Sequence, residues 1–361
     1  MAYTDIDKSD DYFNTKLYTG TGTSGGNTLG VTGVGFQPDF VWVKNRTVAV
    51  NHYLYDVVRG TGSAKALGSN TTASESSFST YSVNGGVASL DSDGFTAYRG
   101  TDNTYQGTNK SGNNYASWNW LAGGTASSNT SGSITSSVSA NTTSGFSIVS
   151  YTGDGAASAT IGHGLGIKPS MIIVKPRDLT GYDWNVQHGS LGATKYLYLS
   201  STAAVSTATG MWNNTEPTTS VFTVGTYDNV NKSGNTYIAY CFADVQGYSK
   251  FGSYTGNGSS NGPFIYTGFK PAWVVAKKTS GTGSWRMWDN KREGYNGDNA
   301  FLYANLSNAE ESDGTLVDFC SQGFKWRGTS QDMNGSGGTY IYMAFAENPL
   351  VTSTGIPACA R

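Results

Sequence analysis

Apolar residues in this chain gather in short runs, and one run occurs three times: Gly35–Lys44 (GFQPDFVWVK), Gly166–Lys175 (GIKPSMIIVK) and Gly268–Lys277 (GFKPAWVVAK). Each reads as a glycine turn, an apolar residue, a proline, at least four apolar residues and a lysine. Such a run predicts a short strand buried on both faces. The proline is expected just before the strand, where a missing N–H costs little. The closing lysines, Lys44, Lys175 and Lys277, read as solvated strand ends.

Two further signals share this period. Before each run stands a Tyr-Thr-Gly-x-Gly turn, at Tyr18–Gly22, Tyr151–Gly155 and Tyr254–Gly258, whose glycines are expected to supply positive φ. After it comes a Ser-Gly turn into an alternating strand, with Trp118/Trp120, Tyr240/Phe242 and Met343/Phe345 on one face. The chain thus divides into an N-terminal arm (1–16), unit 1 (17–124), a Ser/Thr/Gly-rich segment (125–143), unit 2 (144–246) and unit 3 (247–361). The 125–143 segment is either a flexible linker or an extended surface strand. Unit 1 carries extra residues between Thr71 and Gly86. Helical turns are expected only near Thr71–Glu75, Thr202–Val205 and Ser307–Glu311. The fold class is all-β, a tandem array of β-sandwich (jelly-roll-like) repeats.

Composition sharpens this. Of 361 residues, 13% are charged, 13% are aromatic and 48 are glycine, which suits a folded chain of strands and tight turns rather than a disordered one. A net charge of −2 leaves no electrostatic footprint for nucleic acid. No apolar run is long enough to span a bilayer. Met1–Asp7 lacks the basic start and apolar core of a signal peptide, so synthesis and folding in a cytoplasm are expected. Cys241, Cys320 and Cys359 form neither a pairing framework nor a metal motif.

Candidate chemistry is sparse. Gly20–Gly25 fits GxGxxG but opens no helix, and Gly22–Gly26 fits GxSxG without an elbow. His52, His163 and His188 show no metal-ligand spacing. Asp91-Ser92-Asp93-Gly94 starts like a calcium loop, lacks the remaining ligands and reads better as a hairpin turn. The densest cluster of polar and aromatic residues is Trp285–Arg292. Trp285, Trp288, Asp289 and Arg292, with Tyr53 and Tyr55 in unit 1 and Trp184 in unit 2, are the candidate glycan or receptor contacts. An acid near an arginine and two tryptophans can hold a sugar edge while rings stack on its face. A structural ion pair packed under aromatic residues reads the same way and is the stronger of the two. No catalytic set, metal or cofactor is expected.

With the repeats laid out, the chain resembles an uncharacterised family of repeat-containing structural proteins of tailed, largely marine bacteriophages. The GFxPxxVxVK-type strands, the Ser-Gly-Asn-x-Tyr closing strands, Gly247–Gly256, Trp288–Arg292 and the Ala344–Pro349 ending carry the resemblance. It implies a non-enzymatic virion protein made in the host cytoplasm, most readily a tail-fibre or appendage component in host attachment. A capsid-decoration or head-fibre protein is the near alternative, and a carbohydrate-binding module or polysaccharide depolymerase a more distant one. Expected partners are other virion proteins, docked through the aspartate-rich arm from Met1 to Lys16, and a host-surface glycan. Homotrimerisation is expected only by analogy with fibres.

Overall fold

The structure is a computed structural model that describes residues 3–78, 80–103, 107–292, 296–297, 299–312, 314 and 316–358. Cys359 lies outside the described residues. Unit 1 contains β1 (Phe13–Thr19), β2 (Thr28–Thr32), β3 (Phe40–Asn45), β4 (Tyr53–Asp56), β5 (Gly86–Asp91), β6 (Gly94–Tyr98) and β7 (Asn114–Trp120). Next come β8 (Ser127–Asn129), β9 (Ser136–Asn141), β10 (Phe146–Thr152), β11 (Ala159–Gly162), β12 (Met171–Pro176), β13 (Asn185–His188), β14 (Lys195–Tyr198), β15 (Ser206–Thr207), β16 (Val221–Val224) and β17 (Thr236–Phe242). Unit 3 contains β18 (Ser249–Thr255), β19 (Phe264–Tyr266), β20 (Phe269–Lys278), β21 (Arg286–Asp289), β22 (Ala300–Tyr303), β23 (Glu311–Ser312), β24 (Val317–Cys320), β25 (Gly323–Trp326) and β26 (Thr339–Pro349).

One strand order occurs three times in the large sheets: β1-β7-β3-β4, β10-β17-β12-β13 and β18-β26-β20-β21. A small sheet covers each: β2-β6-β5, β11-β16 and β19-β25-β24. All named strand pairs are antiparallel, and the first and last strands of each unit pair in the large sheet. The all-β sandwich is what the sequence predicts.

The repeated apolar run explains the packing. Alternation sends Val41 and Val43, Ile172 and Val174, and Val274 and Ala276 into three separate cores under the small sheets. The intervening residues, Phe40 and Trp42, Met171 and Ile173, and Trp273 and Val275, all enter one common core. Trp118/Trp120, Tyr240/Phe242 and Met343/Phe345 join them there. The three large sheets therefore surround a shared interior, and the units are not a linear array. Where they meet lies an entirely apolar void of about 20 Å³, touched by Phe40, Trp120, Met171, Tyr240, Trp273 and Met343.

The turn tyrosines are explained as well. Tyr18 stacks on Tyr115, Tyr151 on Tyr237 and Tyr254 on Tyr340, with centroids 4.9, 5.1 and 4.9 Å apart. Nearby, the buried Asn109, Asn231 and Asn334 accept the backbone N–H of Thr21, Asp154 and Asn257. Only the second turn glycine in units 2 and 3 has positive φ (Gly155, +76°; Gly258, +68°). The first glycine is required for close approach, because a Cβ on Gly20, Gly153 or Gly256 would overlap the carbonyl oxygen of Lys110, Lys232 or Gly335. Gly256→Ala is expected to lower stability by about 1–3 kcal/mol through the backbone shift it forces, read as the chemical-denaturation midpoint.

Several expectations need correction. Pro271 lies inside β20, at a register shift, whereas Pro38 and Pro169 precede their strands. Residues 125–143 supply β8 and β9, which extend the unit 2 sheet beyond β10, so the extended-strand reading holds. The extra residues of unit 1 hold single-turn helices at Glu75–Phe78 and Tyr81–Asn84. No helix forms at 202–205 or 307–311, where backbone bonds strap the chain to a neighbouring unit, and single helical turns lie instead at Ser9–Asp11, Thr209–Trp212, Asp228–Asn231 and Gln331–Asn334.

The N-terminal arm packs on the body of the chain, with Asp5, Lys8, Asp10 and Asp11 exposed on its outer side. Ile6 is buried in the common core, and the Tyr3 hydroxyl donates to the Gly268 carbonyl (2.5 Å). Asp7 accepts the backbone N–H and hydroxyl of Ser353. These contacts anchor the arm to unit 3 and the common core, while Lys8 pairs with Asp10 and Asp11 within the arm.

Candidate functional site at the unit seams

The residues that recur in all three units meet at the seams between units. Lys44, Lys175 and Lys277 are fully buried, which overturns their reading as solvated strand ends. Each sits at the end of an inner-face row and points its ammonium at the neighbouring unit. Lys44 donates to the carbonyls of Asn45 (2.8 Å), Val50 (2.9 Å) and, in unit 3, Ser307 (3.1 Å). Lys175 donates to Tyr182 (2.8 Å) and to Thr72 of unit 1 (3.4 Å). Lys277 donates to Lys278 (2.8 Å) and to Thr202 of unit 2 (3.3 Å). Unit 1 holds unit 3, unit 3 holds unit 2, and unit 2 holds unit 1. The pattern is cyclic.

Ring N–H groups follow the same circuit. The residue just before β4, β13 or β21 is His52, Trp184 or Trp285. Trp42 donates to His52 Nδ1, which leaves Nε2 to donate to the Tyr303 carbonyl (2.8 Å). Trp184 donates to Gly68 (2.8 Å) and Trp285 to Tyr198 (2.9 Å). A backbone bond completes each strap: Glu310 N–H to Arg46 (2.9 Å), Glu75 N–H to Arg177 (2.8 Å) and Val205 N–H to Thr279 (3.2 Å).

Two seams also carry a buried ion network. At the seam of units 1 and 2, Arg59 Nε meets Asp56 (2.5 Å) and its Nη1 meets Glu75 (3.0 Å). Arg177 of unit 2 reaches the same Glu75 (3.0 Å), and the Tyr240 hydroxyl donates to Asp56 (2.7 Å). Burial holds the Tyr240 phenol well above its usual range, so it stays a donor. At the seam of units 3 and 1, Arg292 meets Asp289 (2.7 Å) and Glu310 (3.3 Å). Arg46 pairs with Glu310 through two nitrogens, and Trp118 Nε1 donates to Asp289 (3.1 Å). The third seam replaces the whole set. Register places His188, not Asp183, opposite Met171, where Phe40 faces Asp56 and Trp273 faces Asp289. Leu191, Val205 and Thr279 take the other places, and both apolar side chains pack on the common core. His188 Nδ1 accepts the Ser190 N–H, and Nε2 donates to the Tyr342 carbonyl of unit 3 (3.2 Å).

The seven candidate glycan contacts are therefore placed plainly. Trp184, Trp285, Asp289 and Arg292 lie in the seams, and Trp288, Tyr53 and Tyr55 lie in the cores of their own units. All seven are buried, Asp289 the least so at 6% exposed, so none can meet a sugar or receptor at the surface. The structural ion pair is the reading that holds. Asp93 is engaged too: its carboxylate accepts the backbone N–H of Gly33 (2.9 Å) and Gly35 (2.7 Å) beside the β5–β6 turn. Sequence reasoning passed over the lysines and His52. The usable signal was internal: Asp, Arg, Glu and the partner Arg are present together in two seams and absent together in the third.

Burial lowers the Lys44 ammonium to about 7, and those of Lys175 and Lys277 to about 8. An unfolded lysine keeps its proton to about pH 10.4, so over this window the unfolded chain binds more protons and stability rises with pH. Each lysine contributes at most about 1.4 kcal/mol per pH unit. From about pH 8 to about pH 9.5, the unfolding free energy is expected to rise, and Lys44→Met to rise less steeply, in urea titrations at each pH. On the acid side, burial lowers His188 to about 4, so its share of stability is lost as pH falls below about 6.5.

Residues 8–349 match the model of a domain described only as a domain of unknown function (DUF7483). No curated protein and no solved structure matches the chain. The match spans nearly the whole chain, with units 1 and 2, unit 3 as far as Pro349 and all three seams inside it, and the chain belongs to the DUF7483 domain family.

Proposed function

We propose that the chain is a structural component of a tailed-phage particle, exposed on its surface as part of a tail fibre or appendage that contributes to host attachment. One observation carries the reading most: the polar groups that recur across units are turned inward and spent on locking three units to one another. A surface part that must survive outside a cell needs a closed, mutually braced body. The repeat motifs' resemblance to phage structural proteins supports the same reading. Host contact then falls on surfaces that differ between units, where Tyr227, Phe264 and Tyr266 are exposed. A carbohydrate-binding module or depolymerase working through the seven aromatic and charged candidates is disfavoured, because solvent does not reach them. The test is cryo-EM of purified particles of a phage encoding this chain. Density at the tail is expected, density only on the capsid lattice transfers the proposal to decoration, and absence from the particle overturns it.

A further inference from the structure

The three small sheets differ at one edge. Ile161 of β11 pairs with Phe222 and Ile265 of β19 pairs with Phe324, so Thr160 and Gly162 correspond to Phe264 and Tyr266. Antiparallel pairing turns the N–H and C=O of these alternate residues away from the sheet. In unit 2 the chain covers that edge with its own 129–136 segment. The Ile134 N–H donates to the Thr160 carbonyl (3.0 Å), and Thr160 N–H donates to Ser133 Oγ (2.9 Å). Ser136 Oγ donates to the Gly162 carbonyl (2.9 Å), and Ile134 bridges Ile161 in parallel.

Among the described residues, unit 3 has no such segment on the same edge, and only Tyr3 of the arm reaches its end, at Tyr266 and Gly268. β19 ends its sheet, and Phe264 and Tyr266 are 49% and 56% exposed. Phe264 lies over Gly323, where a Cβ would meet its ring. An open strand edge bearing two outward aromatic rings is a template for a further strand.

We propose that the outer edge of β19 is a docking site for an extended segment of another polypeptide, added parallel to β19 as residues 129–136 are added to β11. The fold itself shows the occupant's chemistry. A hydroxyl residue and then an aliphatic one face the backbone of Phe264, as Ser133 and Ile134 face Thr160, while neighbouring apolar side chains cover the two rings. Backbone pairing supplies affinity and the Phe264–Tyr266 rings supply selectivity. Unit 1 presents only Thr28, Gly30 and Thr32 at this edge, which offers the same hydrogen bonds without the rings.

The test is selection of a displayed library of random dodecapeptides on the full chain, followed by binding to Tyr266→Pro. Proline removes the outward N–H together with the Tyr266 ring, the two features the proposal relies on, and an edge strand tolerates it. Expected are peptides with a hydroxyl-aliphatic pair whose binding weakens at least tenfold on Tyr266→Pro and is unchanged on Lys195→Ala, at a distant strand. Amide exchange of Phe264 and Tyr266 in the unaltered chain is expected to slow when such a peptide binds, which keeps the test valid if Tyr266→Pro folds poorly. No enriched peptide, or exchange unchanged at both amides, overturns the proposal. Concentration-dependent self-association lost in Tyr266→Pro also overturns it, in favour of a second copy at the edge.

Discussion

Replacing Arg59 with leucine is expected to lower the unfolding free energy by about 3–5 kcal/mol, because Asp56 is left as a buried charge without its partner. Both side chains are fully buried, so solvent offers no replacement. The loss also leaves the Leu54 carbonyl with the Leu67 N–H alone and leaves Glu75 with Arg177 alone among these cations. The third seam shows that the ionic set is not itself required. Transplanting its residues, as Asp56→His, Arg59→Leu, Glu75→Val and Arg177→Thr together, is expected to recover most of that loss, to within about 1–2 kcal/mol of the parent. Chemical denaturation of the two variants measures the non-additivity. A combined variant no more stable than Arg59→Leu would mean that the network contributes net stability which the apolar seam cannot supply.

Trp273→Ala is the second large effect, expected at about 3–5 kcal/mol from lost burial and the cavity it opens. Its indole sits between units: the centroid is 5.6 Å from Trp120 and 6.4 Å from Trp118 of unit 1, and 6.0 Å from Phe345 of its own unit. The void of about 20 Å³ already adjoins it, so little can collapse inward to fill the space. Calorimetry is expected to show one transition at a lower temperature, with no separate unfolding of unit 3.

Much of the architecture was legible because it depends on local alternation. The partition of Phe40/Trp42 from Val41/Val43 follows from period-two spacing, and so do the facing rows on β7, β17 and β26. The tyrosine turns are local too, whereas the sequence of 125–143 left linker and strand open, because its pairing with β10 is made only in the folded sheet. What could not be read was which surface each inner face meets. A row ending in lysine normally delivers its ammonium to water, and nothing near Lys44 in sequence indicates Ser307, 263 positions away, as its acceptor. The same gap misled the aromatic reading. Trp285, Asp289 and Arg292 look like a sugar platform until unit 2 is placed over the first and unit 1 over the other two. The anchoring of the arm was equally hidden, since Ile6 alone does not reveal that its pocket belongs to the common core.

The central claim is that the three units form one cooperative body through their common core and cyclic seams. Native-state hydrogen exchange of Trp326→Ala tests it most directly, because Trp326 packs in unit 3's own core, against Tyr254, Trp288 and Phe324. If the seams bind the units into one body, amides of β3 and β12 lose as much protection as those of β20, since all open only by global unfolding. Loss confined to β20 and β26, with β3 and β12 unchanged, would show three independently folding units and contradict the account.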